Sequence, residues 1–146
     1  MSQALNEDEA VEEAEYVISE LKSVDALELL YPVVVDSEKI KFDTSRTESL
    51  NGKERTDTIL AFCKTIEEAG YKSALYANSQ WLTKNLDIRR LTEINIWYAD
   101  YQIFDNNEPP LYPYPFSMWQ YTNKGKVDGI SGDADINISF WRNTSE

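Results

Sequence analysis

Asp36 and Glu38 close a short apolar run, Val33-Val34-Val35-Asp36-Ser37-Glu38, and their spacing is the clearest chemical signal in the chain. Three β-branched residues after Tyr31-Pro32 read as a buried strand. Strand side chains alternate between faces, so both carboxylates leave the C-terminal end of that strand on one side, about 6–7 Å apart. In α/β folds that end of the strand is where ligands bind. Paired carboxyl groups at such a distance suit acid/base work on a glycosidic bond. Solvated charge at a strand end is the plainer alternative.

The remaining inventory prunes other chemistries. The chain has no histidine, so neither a Ser-His-Asp or Cys-His site nor the usual imidazole zinc site can be built. Its single cysteine, Cys63, excludes an internal disulfide and falls on an apolar helix face, where it reads as a small core residue and not a nucleophile. Asp133-x-Asp135-x-Asn137 has the spacing that opens a calcium loop. Ile138 and Thr144, however, stand where that loop needs glycine and glutamate. No metal and no cofactor is therefore expected. Carboxylates, tyrosines, lysines and hydroxyls remain, which favours a carboxylate enzyme or no enzyme.

Length and charge set the frame around these residues. With 146 residues, 42% of them hydrophobic and 12% aromatic, the chain has room for a single domain over 1–146 with a real core. A net charge of −12 leaves no basic stripe for nucleic acid and no attraction to anionic lipid. No run of 18 apolar residues occurs, and Met1 leads into an acidic segment. Neither a transmembrane helix nor a signal peptide is expected, and neither nucleic acid nor a membrane is expected as partner.

The elements that would position the carboxylates alternate between helix and strand. Asn6 and Glu9 make a capping pair, after which Ala10, Ala14, Val17, Ile18 and Leu21 recur at helical spacing. The strand ending at Asp36 comes next, then a polar loop from Ile40 to Leu50. A second helix puts Ile59, Phe62, Cys63 and Ile66 on one face, with Gly70 placed for a left-handed cap. Further strands read at Ser73–Ala77, Ile94–Ala99, Met118–Tyr121 and Ile136–Phe140, with a short helical segment from Gln80 to Leu86. The proline-rich stretch Pro109–Pro115 reads as a surface crossover, and Asn123–Gly132 as a turn. Strand, helix, strand with short linkers predicts parallel pairing in an α/β sheet.

Several of these segments together resemble a known family. Pro32-Val33-Val34-Val35-Asp36-Ser37-Glu38 resembles the strand bearing the Asp-x-Glu pair in glycoside hydrolase family 25, the Chalaropsis-type lysozymes. Phe62–Tyr71 is similar to that family's next helix and turn, and Leu75-Tyr76-Ala77-Asn78-Ser79 with Trp81 to its following strand. Ile96-Trp97-Tyr98-Ala99-Asp100-Tyr101 resembles its Trp-x-Ala-x-Tyr strand. Trp119-Gln120-Tyr121-Thr122, Gly125–Ile130 and Asp135-Ile136-Asn137 resemble its C-terminal signature. The motifs follow in the family's order over residues 31–141. Nothing resembles the opening strands with their Asp-x-Ser-type motif, so the chain looks like the C-terminal two-thirds of such a domain. About five strands are too few for the usual eight-strand closure. The resemblance thus implies an incomplete, irregular (β/α) barrel, a mainly parallel sheet with flanking helices. A missing N-terminal segment or a second chain would complete it.

The resemblance also implies roles. Glu38 aligns with the general acid that protonates the leaving sugar's oxygen, a role that needs a raised pKa. Asp36 beside it would repel that charge and orient an acetamide acting as internal nucleophile. Asp135 would position water or the acetamide. The expected Asp36–Glu38 spacing exceeds the ~5–5.5 Å of a standard retaining pair, which suits substrate assistance or an inverting water. Tyr76, Trp97, Tyr101 and Trp119 fall at or near strand ends, where rings can stack on sugars, and Gln120 can bond a sugar hydroxyl. Trp81 and Trp141 lean toward the core. The expected activity is that of an N-acetylmuramidase cutting the β-1,4 bond between N-acetylmuramic acid and N-acetylglucosamine in peptidoglycan. The family's setting is extracellular, at the cell wall. The alternative is a catalytically inactive lysozyme fragment that binds cell-wall glycan weakly at most.

Overall fold

The computed structural model describes residues 1–26, 28–39, 45–101 and 112–142. The first helix, α1 (Glu7–Ser23), starts where Asn6 accepts a hydrogen bond from the Glu9 N–H at 2.9 Å. The reciprocal bond shifts by one residue, because the Glu9 carboxylate accepts from the Leu5 N–H and not from Asn6. The second helix, α2 (Gly52–Glu68), opens on a full capping box between Asn51 and Glu54. It closes on a Schellman turn in which Gly70, at φ +91°, donates to the Glu67 carbonyl and Tyr71 donates to that of Ile66.

Between and after these helices run β1 (Val33–Asp36), β2 (Ser73–Asn78), the short α3 (Ser79–Asn85), β3 (Asn95–Ala99), β4 (Met118–Gly125) and β5 (Ala134–Ser139). They form one five-stranded sheet in the order β1-β2-β3-β4-β5. The first four strands pair in parallel and β5 returns antiparallel to β4. The sheet curls into a half barrel with helices outside, the mainly parallel α/β architecture that the sequence predicts.

Strand alternation splits this sheet into two unlike faces. Val35, Leu75, Ala77, Ile96 and Tyr98 point to the helix side and are buried in the core. There they meet Ile59, Phe62, Cys63 and Ile66 of α2, while Ala10, Ala14 and Ile18 fix α1 against α2. The other, inner face carries Asp36, Tyr76 and Trp97 at one level of the register. The apolar face thus anchors the strands, and the polar and aromatic face they present is left for ligands.

Two segments differ from the sequence expectation. The turn between the last strands is shorter, since β4 continues to Gly125 and β5 begins at Ala134. Register shifts after Gln120 and Thr122 let β4 bulge and keep pairing past the point where alternation breaks in sequence. The proline-rich stretch is also not all surface: Tyr112 is buried and stacks on Tyr98 at 5.7 Å, while Pro109–Leu111 lie outside the described residues. Within the polar loop, Thr47–Ser49 form a 3-10 turn, and residues 40–44 lie outside the described residues.

Candidate active site

The end of β1 delivers Asp36, Ser37 and Glu38 at the C-terminal edge of the parallel strands. Ser37 donates its backbone N–H to the Tyr76 carbonyl at 3.0 Å, so the segment stays tied to β2 after the strand has ended. From the other side the Trp81 indole N–H donates to the Ser37 hydroxyl oxygen at 3.0 Å. Ser37 is therefore held by two elements, and the carboxylates flanking it are positioned with it. The Asp36 carboxylate is partly buried, with Oδ1 lacking a hydrogen-bond partner among the described residues and Oδ2 3.7 Å from the Met1 ammonium. Burial pushes its pKa up, while the ammonium pulls in the opposite direction.

Beside Asp36 on the same face stands Tyr76, whose ring meets Trp97 edge-on at 5.3 Å. The hydroxyls of Tyr76 and Tyr101 both donate to Gln120 Oε1, each at 2.7 Å. That double acceptance fixes the Gln120 amide, itself almost wholly buried. Burial raises the Tyr76 pKa most, and Tyr101, Glu38 and Asp36 add to it. The Tyr101 pKa is raised too, by burial first, with Asp135 and Glu38 contributing. Both phenols thus remain protonated donors at ordinary pH, and both sense Glu38.

The β4–β5 hairpin brings in the last carboxylate. Asn137 pairs with Gln120 across the hairpin, and the Trp97 indole N–H donates to its side-chain oxygen at 2.9 Å. Asp135, two residues earlier on β5, points to the same side as Asn137 and is exposed. Asp36, Glu38, Tyr76, Trp97, Tyr101, Gln120 and Asp135 accordingly gather at one end of the inner face. Trp119 does not join them. Its register partners are Tyr98 and Ile138, on the helix side, and its indole donates to the Asp100 carbonyl at 2.9 Å.

Trp81, which the sequence reading leans toward the core, lines the cleft instead, and Arg55, which that reading does not mark, lies beside it. The Arg55 guanidinium lies over the Trp81 ring, 5.0 Å from its centroid, and both line a cleft of about 420 Å³ together with Glu38. No periodicity marks Arg55. Trp81 is set in place by Asn78, three residues earlier, whose side chain accepts the Trp81 N–H to start α3. Among the described residues, no three His, Cys, Asp or Glu side chains gather to hold a metal ion. The arrangement can donate a proton from a carboxyl, accept one at another and bond neutral hydroxyls or amides through phenols.

A half barrel whose parallel strands end in acidic and aromatic side chains places its candidate site where α/β folds bind ligands. Residues 2–130 match glycosyl hydrolases family 25, and the chain belongs to that family. A curated relative is the D-alanyl-L-alanine endopeptidase of Streptococcus phage B30, 27% identical over 113 residues that cover 70% of this chain and 25% of the relative. Among solved structures, the modular autolysin LytC from Streptococcus pneumoniae, in complex with a synthetic peptidoglycan ligand, superposes with a TM-score of 0.75. It is 24% identical, over 92% of this chain and 31% of LytC. The catalytic domain of endolysin ply40 from bacteriophage P40 of Listeria monocytogenes has a TM-score of 0.61 and 27% identity, over 93% of this chain and 64% of that domain. The chain thus spans a quarter to under two-thirds of the proteins it matches.

Proposed function

We propose that this chain carries the catalytic end of a peptidoglycan hydrolase, an N-acetylmuramidase that cleaves the β-1,4 bond between N-acetylmuramic acid and N-acetylglucosamine. The observation that carries the reading is the placement of Asp36, Glu38 and Asp135 around the paired phenols of Tyr76 and Tyr101. Glu38 is the proton donor to the leaving sugar's oxygen. Asp36, partly buried at the end of β1, accepts the N–H of the substrate's acetamide and turns its carbonyl toward the anomeric carbon. Asp135, exposed at the rim, receives and orients the water that completes hydrolysis. Trp97 offers a ring to a sugar face, and Trp119 supports the strand from behind. The setting in which such an enzyme meets its substrate is the cell wall.

Glu38→Gln tests this reading, because the amide keeps the shape and removes the transferable proton. Release of reducing ends from purified cell walls should fall about 10²–10⁴-fold, the usual worth of a general acid. Equal clearing by wild type and variant sinks the hydrolase reading for this chain. A second reading, a glycan-binding domain without activity, is favoured by one observation: among the described residues β1 pairs only with β2 and β5 only with β4. A further segment or a second chain on those edges would complete the barrel. Under the second reading, Glu38→Gln binds soluble glycan as wild type does, and neither releases reducing ends.

A further inference from the structure

The cleft beside Glu38 is larger than acid catalysis alone requires, and its lining is not that of a neutral sugar site. In a chain with 14 cationic against 26 acidic residues, it gathers Lys39, Arg55 and Lys84 against Glu38 and Glu48. Lys84 has no ion-pair partner among the described residues. Arg55 is fixed without being neutralised. One of its nitrogens, Nη2, donates to the carbonyls of Thr47 and Glu48 at 3.0 and 3.3 Å, and its plane rests on Trp81. Its Nε–H is buried, without a hydrogen-bond partner among the described residues. A held guanidinium lining the cleft, beside an unpaired ammonium, matches an anion. Sugar hydroxyls would be served as well by the amides of Asn78 and Asn85 alone.

We propose that this cleft binds a carboxylate carried by the glycan, the free acid of a peptide stem, with Lys84 and Arg55 as its recognition pair. The proposal rests on the peptidoglycan reading above and deepens it: the chain would prefer stem-bearing glycan to bare glycan. Glu38 forms one wall of the same cleft, so an acid anchored there holds the attached sugar against the proton donor. Lys84 lies in the last turn of α3 and is exposed, so its replacement leaves the fold intact.

The test titrates the chain with three probes: a muramyl dipeptide bearing its free carboxylate, the same dipeptide as the carboxamide, and chitotriose. Wild type should bind the acid about 5–10-fold more tightly than the amide in low salt, and the preference should shrink in 0.5 M salt. Lys84→Gln should abolish the preference and Lys84→Arg should restore it. Equal binding of acid and amide by wild type, no binding of either, or an unchanged preference in Lys84→Gln overturns the proposal. Displacement of the dipeptide by inorganic phosphate at concentrations where acetate has no effect also overturns it, by assigning the cleft to phosphate. Cell walls left uncut while the acid preference persists would sink the hydrolase reading and leave the acid site standing. Walls cut with no acid preference would do the reverse.

Discussion

At the scale of single residues, the site turns on how unlike its carboxylates are. Asp135 stands exposed on β5, whereas Asp36 is partly buried with an oxygen that nothing among the described residues satisfies. Burial raises the Asp36 pKa in the folded chain. Below about pH 3.9, the ordinary carboxylate value, Asp36 is protonated whether the chain is folded or not and costs nothing. As pH rises, the unfolded chain releases this proton first, so the native state holds more protons and stability falls until the folded value is passed. Asp36→Asn removes that dependence. Its melting temperature should equal that of wild type near pH 3 and exceed it at pH 7, measured by thermal scans across that range. A lower melting temperature for the variant at pH 7 would mean that the attraction to the Met1 ammonium, 3.7 Å away, outweighs the burial. The Asp-x-Glu spacing was legible in sequence because strand alternation fixes it. The burial of Asp36 was not, since it depends on what covers the end of β1.

At the scale of elements, the hairpin β4–β5 decides whether Asp135 reaches the other carboxylates. Gly125 sits where the Ile136 side chain crosses the hairpin, and a Cβ there would collide with it. Gly125→Ala should therefore push the strands apart and cost about 1–3 kcal/mol, the usual penalty of overpacking, read from urea unfolding. Gly70→Ala offers the contrast. It has open space around it but a φ of +91°, so its cost is conformational, about 1–2 kcal/mol, and leaves the site untouched. Helices and parallel strands were readable because apolar period and caps agree at Asn6 and Gly70. The true length of β4 was hidden by its bulges, which break alternation after Gln120. Trp119 reads with the cleft aromatics because it falls near a strand end, yet one residue along a strand reverses the face. Arg55 escaped notice because its partner Trp81 belongs to a different helix.

At the scale of the molecule, the question is whether an open sheet behaves as one cooperative body. The described structure argues that it does, because the apolar core runs across β1, β2 and β3 and reaches β4 through Trp119. The core runs from Ala4 and α1 through α2 to Tyr98 and Tyr112 without interruption. Its far ends are tied across the chain as well: the Trp141 indole donates to the Leu30 carbonyl at 3.1 Å, joining the stretch after β5 to the one before β1. Against this stand the outer edges of β1 and β5, whose backbone groups have no neighbouring strand among the described residues. Edges weaken a sheet locally, whereas a continuous core sets global cooperativity. The expected result in urea is therefore a single transition, coincident by tryptophan fluorescence and far-ultraviolet circular dichroism. Its slope should lie within the 1–3 kcal/mol/M typical of small proteins. Fluorescence reports all four tryptophans, Trp81 on α3, Trp97 on β3, Trp119 on β4 and Trp141 after β5, whereas dichroism reports mainly α1 and α2. If fluorescence moves at lower urea than dichroism, the strands past β2 loosen before the helices do. The gathered carboxylates would then need an added strand to stay in place.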